Sequence, residues 1–105
     1  MTRKTLLITG ASAGIGAATA QAAAAESYDS VIINYRSDHA SADTVAQMVG
    51  AQGCEAVVIR ADITDPAAVV AMFEQITALP PAALSLVNNA GIVAPKASIQ
   101  DLTPD

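Results

Sequence analysis

Four short, solidly apolar runs, each separated from the next by a stretch with helical spacing, constrain this chain more than any other feature. Residues 5–9 form a β-rich run ended by Gly10, and residues 14–26 are alanine-rich and helical. Residues 30–35 read as a second strand around Val31, Ile32 and Ile33. Residues 41–51 then place Val45, Met48 and Val49 at helical spacing, with Gly53 as a stop signal. Residues 55–61 are a third strand around Val57, Val58 and Ile59. Asp65-Pro66 supplies an N-cap and a proline for the first helical position, and Pro80-Pro81 ends the helix. Val69, Val70, Met72, Phe73 and Ile76 are its expected buried stripe, and residues 84–87 are a fourth strand. The order is βαβαβαβ. Strands that are apolar on both faces and alternate with helices belong to a parallel sheet covered on both sides, so the fold class is a doubly wound α/β sheet.

With 105 residues the chain has room for one compact domain, so residues 1–105 are taken as a single unit. Apolar residues make up 52% and charged residues 14%, far from the composition of disorder. Ten carboxylates against five lysines and arginines give a net charge of −5, with no basic stripe for nucleic acid. That balance leaves room for one bound nucleotide, because such sites rely on local backbone donors. No apolar stretch is long enough to span a membrane, and the apolar part of the start is too short for a signal peptide. Cys54 is the sole cysteine and opens an apolar run; it reads as a packing residue in a protein of the reducing cytoplasm. His39 has no evident partner and is assigned no role, and no metal site is expected.

The chemistry-bearing segment is Thr9-Gly10-Ala11-Ser12-Ala13-Gly14-Ile15-Gly16, between the first strand and the first helix. Gly10 turns the chain off the strand, Gly14 lets the backbone approach a pyrophosphate, and Gly16 lets the helix sit close to the sheet. The helix starting there aims its free N–H groups at the phosphates, and Ser12 adds a hydroxyl. The spacing G-x-x-x-G-x-G is not that of a triphosphate-binding loop. At the end of the second strand, where NAD-binding sheets place an acid for the ribose hydroxyls, this chain has Asn34-Tyr35-Arg36-Ser37. Arg36 attracts a ribose 2′-phosphate, Ser37 donates another bond, and Tyr35 is available beside the adenine. NADP is therefore preferred over NAD, with NAD still open. Asp62 after the third strand is placed to accept from the adenine amino group, with Ile63 covering the ring.

Thr9-Gly10-x-x-x-Gly14-x-Gly16, Asp62 and Asn88-Asn89-Ala90-Gly91, in register along the chain, resemble the short-chain dehydrogenase/reductase family. Its NADP-using members include 3-oxoacyl-(acyl carrier protein) reductases and glucose dehydrogenase-like enzymes. The resemblance implies a Rossmann-type fold in which Asn89, Ala90 and Gly91 line the cofactor cleft. It implies hydride transfer between a nicotinamide and a small carbonyl or alcohol substrate, in a dimer or tetramer. Two departures stand out. Ala13 occupies a position that is basic in many NADP-using relatives, and no Tyr-x-x-x-Lys pair is present, since Ile32 follows Tyr28 and His39 follows Tyr35 at that spacing. No catalytic residue is thus expected within the chain. Thr103-Pro104-Asp105 reads as a helix start with nothing after it, so the chain is expected to be a truncated, cofactor-binding segment without turnover. A cofactor-binding redox sensor or regulator is the other class open at this point.

Overall fold

A computed structural model describes residues 3–11, 14–26 and 28–89. Its elements are β1 (Arg3–Thr9), α1 (Gly14–Ala25), β2 (Ser30–Tyr35), α2 (His39–Ala51), β3 (Glu55–Arg60), α3 (Pro66–Thr77) and β4 (Ala82–Asn88). The four strands form one sheet in the order β3-β2-β1-β4, and every pairing is parallel. The chain steps outward from β1 to β3, then crosses back to lay β4 on the other flank of β1. The reversal puts the topological switch point at the carboxyl ends of β1 and β4, where doubly wound sheets bind their ligands.

Alternation along the central strands builds two cores. Leu6 and Ile8 of β1 join Val31, Ile33 and Tyr35 of β2 beneath α1 and α2, with Ala20, Ala24, Val45 and Val49. Leu7 and Ile32 face the other way and pack with Ile59 and Ala61 against Met72 of α3. Strands buried on both faces need apolar residues at successive positions, which is why the runs are solid rather than alternating. Small alanines on α1 let it approach the sheet closely. Cys54 is a packing residue as expected: it is buried, and its Sγ lies 3.5 Å from the Tyr28 carbonyl oxygen. Burial, and then the nearby carboxylates of Asp29 and Glu55, push its thiol pKa up.

The helix and strand starts differ from the sequence expectation in three places, the first being β1, which starts at Arg3 rather than at residue 5. Helix α2 begins at His39 rather than at residue 41, because Asp38 caps it: Oδ1 accepts from the Ser41 N–H at 3.0 Å and Oδ2 from the Ser41 hydroxyl at 2.6 Å. Strand β4 starts two residues early, at Ala82, since it stays in register with β1 from Arg3↔Ala82 to Thr9↔Asn88. The expected stripe on α3 is also narrower. Met72 is buried, but Val70 and Phe73 are exposed, as are Leu84 and Leu86 of β4. The reason is geometric: α3 lies over β1, β2 and β3, and among the described residues no helix covers β4 on that face.

Candidate cofactor site

The site begins where β1 ends. Gly10 takes φ 63° and turns the chain off the strand, a conformation that costs a side-chain-bearing residue about 1–2 kcal/mol. The turn is pinned from β2: the Gly10 N–H donates to Asn34 Oδ1 at 3.3 Å, and the Ala11 N–H donates to the Asn34 carbonyl at 2.9 Å. The Asn34 amide in turn donates to the carbonyls of Ile59 and Ala61 at 3.3 and 3.2 Å. One buried side chain thus joins the ends of β1, β2 and β3. Asn34 stands outside the expected site residues, yet the sequence carries a signal for this role. A polar residue on the buried face of an apolar strand must find hydrogen-bond partners inside.

Thr9 performs the same service toward β4. Its hydroxyl donates to Asn88 Oδ1 at 3.0 Å and accepts from the Asn89 N–H at 2.9 Å, while the Asn89 amide reaches the Gly10 carbonyl at 3.5 Å. Gly10, Gly16 and Asn89 are therefore brought together. A Cβ on Gly16 would lie 2.5 Å from both Asn89 Nδ2 and the Gly10 carbonyl oxygen, so α1 approaches this closely only because the position has no side chain. Gly14 is different. It has φ +62°, and no atom of the described residues lies within 4 Å of its missing Cβ. Helix α1 starts there with no acid in its first turn, and Ile15 is exposed beside it. The result is a bare backbone surface with helix N–H groups behind it, suited to an anion such as a diphosphate. Ser12, Ala90 and Gly91, also expected at the site, lie outside the described residues.

The ends of β2 and β3 hold the other candidates. Arg36 is well exposed, its Nε 3.6 Å from Asp62 Oδ2, and Ser37 is exposed next to it. Asp62 Oδ1 accepts from the Thr64 N–H at 2.9 Å and the Thr64 hydroxyl at 2.6 Å. The Thr64 hydroxyl, then its N–H, hold the Asp62 carboxyl below its usual pKa, and the Arg36 guanidinium adds a smaller effect. Asp62 therefore stays ionised with one oxygen occupied, leaving Oδ2 to face Arg36 or a ligand donor. Ile63 is half-buried beside it.

Two readings need correction. Tyr35 is not a free ring beside a base: it is 7% exposed, packed in the core beneath α1 and α2. Residue alternation in β2 turns it to the same face as Val31 and Ile33. His39 is not without a partner either. It opens α2, its Nδ1 lies 2.9 Å from the Tyr35 hydroxyl and its Nε2 3.1 Å from Asp43 Oδ2 one helical turn on. The Asp43 carboxylate comes within reach of His39 because the helix already includes residue 39, which puts the two one turn apart.

A hollow of about 360 Å³ lies at the opposite ends of the strands, lined by Thr5, Ser30, Leu79, Pro80 and Leu84 among others. The strand ends that carry the glycines and Asn89 face away from it, so it is not part of this site. Among the described residues no helix is long and apolar enough to cross a membrane.

Comparison with known proteins places this geometry. The family model for short chain dehydrogenases matches residues 4–105. The chain is 40% identical over 99 residues to an uncharacterized oxidoreductase of Escherichia coli strain K12, YgfF, covering 94% of this chain and 40% of the relative. It is 37% identical over 89 residues to a 3-oxoacyl-(acyl-carrier-protein) reductase of Staphylococcus aureus, FabG, covering 85% of this chain and 36% of that one. A crystal structure of a putative dehydrogenase from Burkholderia cenocepacia with bound NADP superposes with a TM-score of 0.67 at 34% identity, over 70% of this chain and 29% of the other. The chain thus spans about two fifths of the length of the curated relatives it matches.

Proposed function

The chain belongs to the short-chain dehydrogenase family, and from that premise we propose that it forms the adenosine- and diphosphate-binding part of a nicotinamide-dependent oxidoreductase. The observation that carries this reading is the glycine backbone at Gly14, with no described atom within 4 Å of its missing Cβ, at the start of α1 and at the strand-order reversal between β1 and β4. In this reading Gly10, Ser12, Gly14, Ile15 and Gly16 would hold the diphosphate, while Asn89, Ala90 and Gly91 would line the cofactor cleft. Gly16 contributes indirectly, by keeping α1 against Gly10 and Asn89. When bound, the cofactor supplies or takes up a hydride at its nicotinamide, exchanged with a carbonyl or alcohol carbon of a small substrate.

NADP is the preferred cofactor and NAD the alternative. No carboxylate stands among residues 34–37, and Arg36 and Ser37 are exposed where the ribose 2′-phosphate would lie. The B. cenocepacia relative with NADP bound supports the same choice. Asp62 and Ile63 would meet the adenine, provided the ligand amino group competes with Arg36 for Asp62 Oδ2. Residues 1–105 are read as one dinucleotide-binding segment. Dimeric or tetrameric assembly and a cytoplasmic location complete the proposal, the latter supported by a single, buried, unpaired cysteine.

The test is amide mapping by NMR during titration with NADP+ and NAD+. The largest shift changes should fall on Gly10, Gly14, Ile15 and Gly16, with tighter binding for NADP+. Perturbations gathered around the hollow at Thr5 and Leu84, or none at all, would overturn the reading.

A further inference from the structure

We propose that Arg60, the last residue of β3, is a second reader of the ribose 2′-phosphate, working beside Arg36. This deepens the cofactor reading above and rests on it. Tyr35 and Arg60 are paired across β2 and β3, so Arg36, one residue past Tyr35, and Arg60 end their strands side by side. The Arg60 side chain is drawn toward β2, its Nε donating to the Arg36 carbonyl at 3.2 Å. That bond fixes the guanidinium against the turn after β2 and leaves its two NH2 groups to donate elsewhere.

The charges explain why a second cation matters here. The Arg36 guanidinium faces Asp62 at 3.6 Å, so an incoming phosphate must share it with a carboxylate. Arg60 has no carboxylate within ion-pair distance among the described residues. The whole chain holds only five lysines and arginines against ten acids, yet two of the five meet at this corner. Arg36, Arg60 and Asp62 together leave one net positive charge. A phosphate monoester carries about −1.5 to −2 at neutral pH, which Arg36 and Asp62 alone cannot balance. Adding Arg60 supplies a second fork of donors, already held in place, for the exposed phosphate oxygens.

Calorimetric titration of the chain with 2′,5′-ADP and with 5′-AMP tests this, because the two ligands differ only in the 2′-phosphate. In Arg60→Gln, affinity for 2′,5′-ADP should fall about tenfold while that for 5′-AMP stays within about twofold, as expected for the loss of one charge-assisted phosphate contact. Arg60→Lys should recover part of the loss by charge alone. The double variant with Arg36→Gln should bind the two ligands equally. The salt dependence of 2′,5′-ADP binding should become shallower in Arg60→Gln. An unchanged ratio of the two affinities in Arg60→Gln overturns the proposal. An equal loss for both ligands overturns it too, since Arg60 would then only brace the turn. If the unsubstituted chain binds neither ligand, the cofactor reading itself fails, an outcome distinct from an Arg60 variant that leaves discrimination intact.

Discussion

Two glycines six and four residues past Gly10 are tested by the same substitution with different results. Gly16→Ala forces a methyl against the Gly10 carbonyl, which is backbone and cannot swing aside, and against Asn89 Nδ2. Overpacking of this kind costs about 1–3 kcal/mol, so urea denaturation should show a clear drop in stability. Gly14→Ala meets no atom of the described residues within 4 Å, and its cost there is the strain of φ +62°, about 1–2 kcal/mol. Its larger effect should be on nucleotide affinity, because the methyl would stand where the diphosphate approaches. Equal affinity losses in two equally folded variants would refute the division of labour. Asn34 is a third such residue. Asn34→Ala leaves the Gly10 N–H and the Ile59 and Ala61 carbonyls without this partner, and about 2–3 kcal/mol of stability should go with it. A stability change below about 0.5 kcal/mol, the usual range for surface substitutions, would show that water replaces all three bonds.

At the level of elements, α2 depends on an ionised cap. The Ser41 hydroxyl, then its N–H, hold the Asp38 carboxyl below its ordinary value of 3.8. A carboxylate whose folded pKa is depressed stabilises the fold above its unfolded value, and that contribution is lost as pH falls through the folded value. Asp62, held down by Thr64 and Arg36, acts in the same direction. Thermal melts should therefore lose stability on the acid side. Asp38→Asn should flatten that acid limb by keeping a neutral cap at every pH, and an acid limb of unchanged slope would count against the cap's role. Helix α3 shows how much of this was legible beforehand. Its Asp65-Pro66 start lies where the local signal put it, with Asp65 accepting from the Ala67 N–H at 3.0 Å. The α2 start was missed because Asp38 is followed by His39-Ala40, with no proline to mark the first turn.

For the whole molecule, the flanks of the sheet differ among the described residues. β2 is fully buried, whereas β4, an edge strand among the described residues, exposes Leu84 and Leu86, on the face where α3 exposes Val70 and Phe73. Free edges and apolar patches favour association. Sedimentation of the 105-residue chain should reveal oligomers that grow with concentration, and Leu86→Lys should shift them toward monomer without unfolding the sheet. A dilute or concentrated chain that stays monomeric in both forms would contradict this.

The order of elements, the parallel sheet and the glycine turn were all determined by the sequence, because each is encoded within a few neighbouring residues: apolar runs, caps and backbone freedom. Tertiary structure alone decided which strand ends meet. Asn34 bonds to residues 24 to 27 positions away, Thr9 to Asn88 across 79 positions, and Arg60 to Arg36 across 24. No local pattern records such pairings. They follow from the register of parallel strands, and the same register buries Tyr35, leaves Leu86 exposed and brings two arginines to one corner of the site.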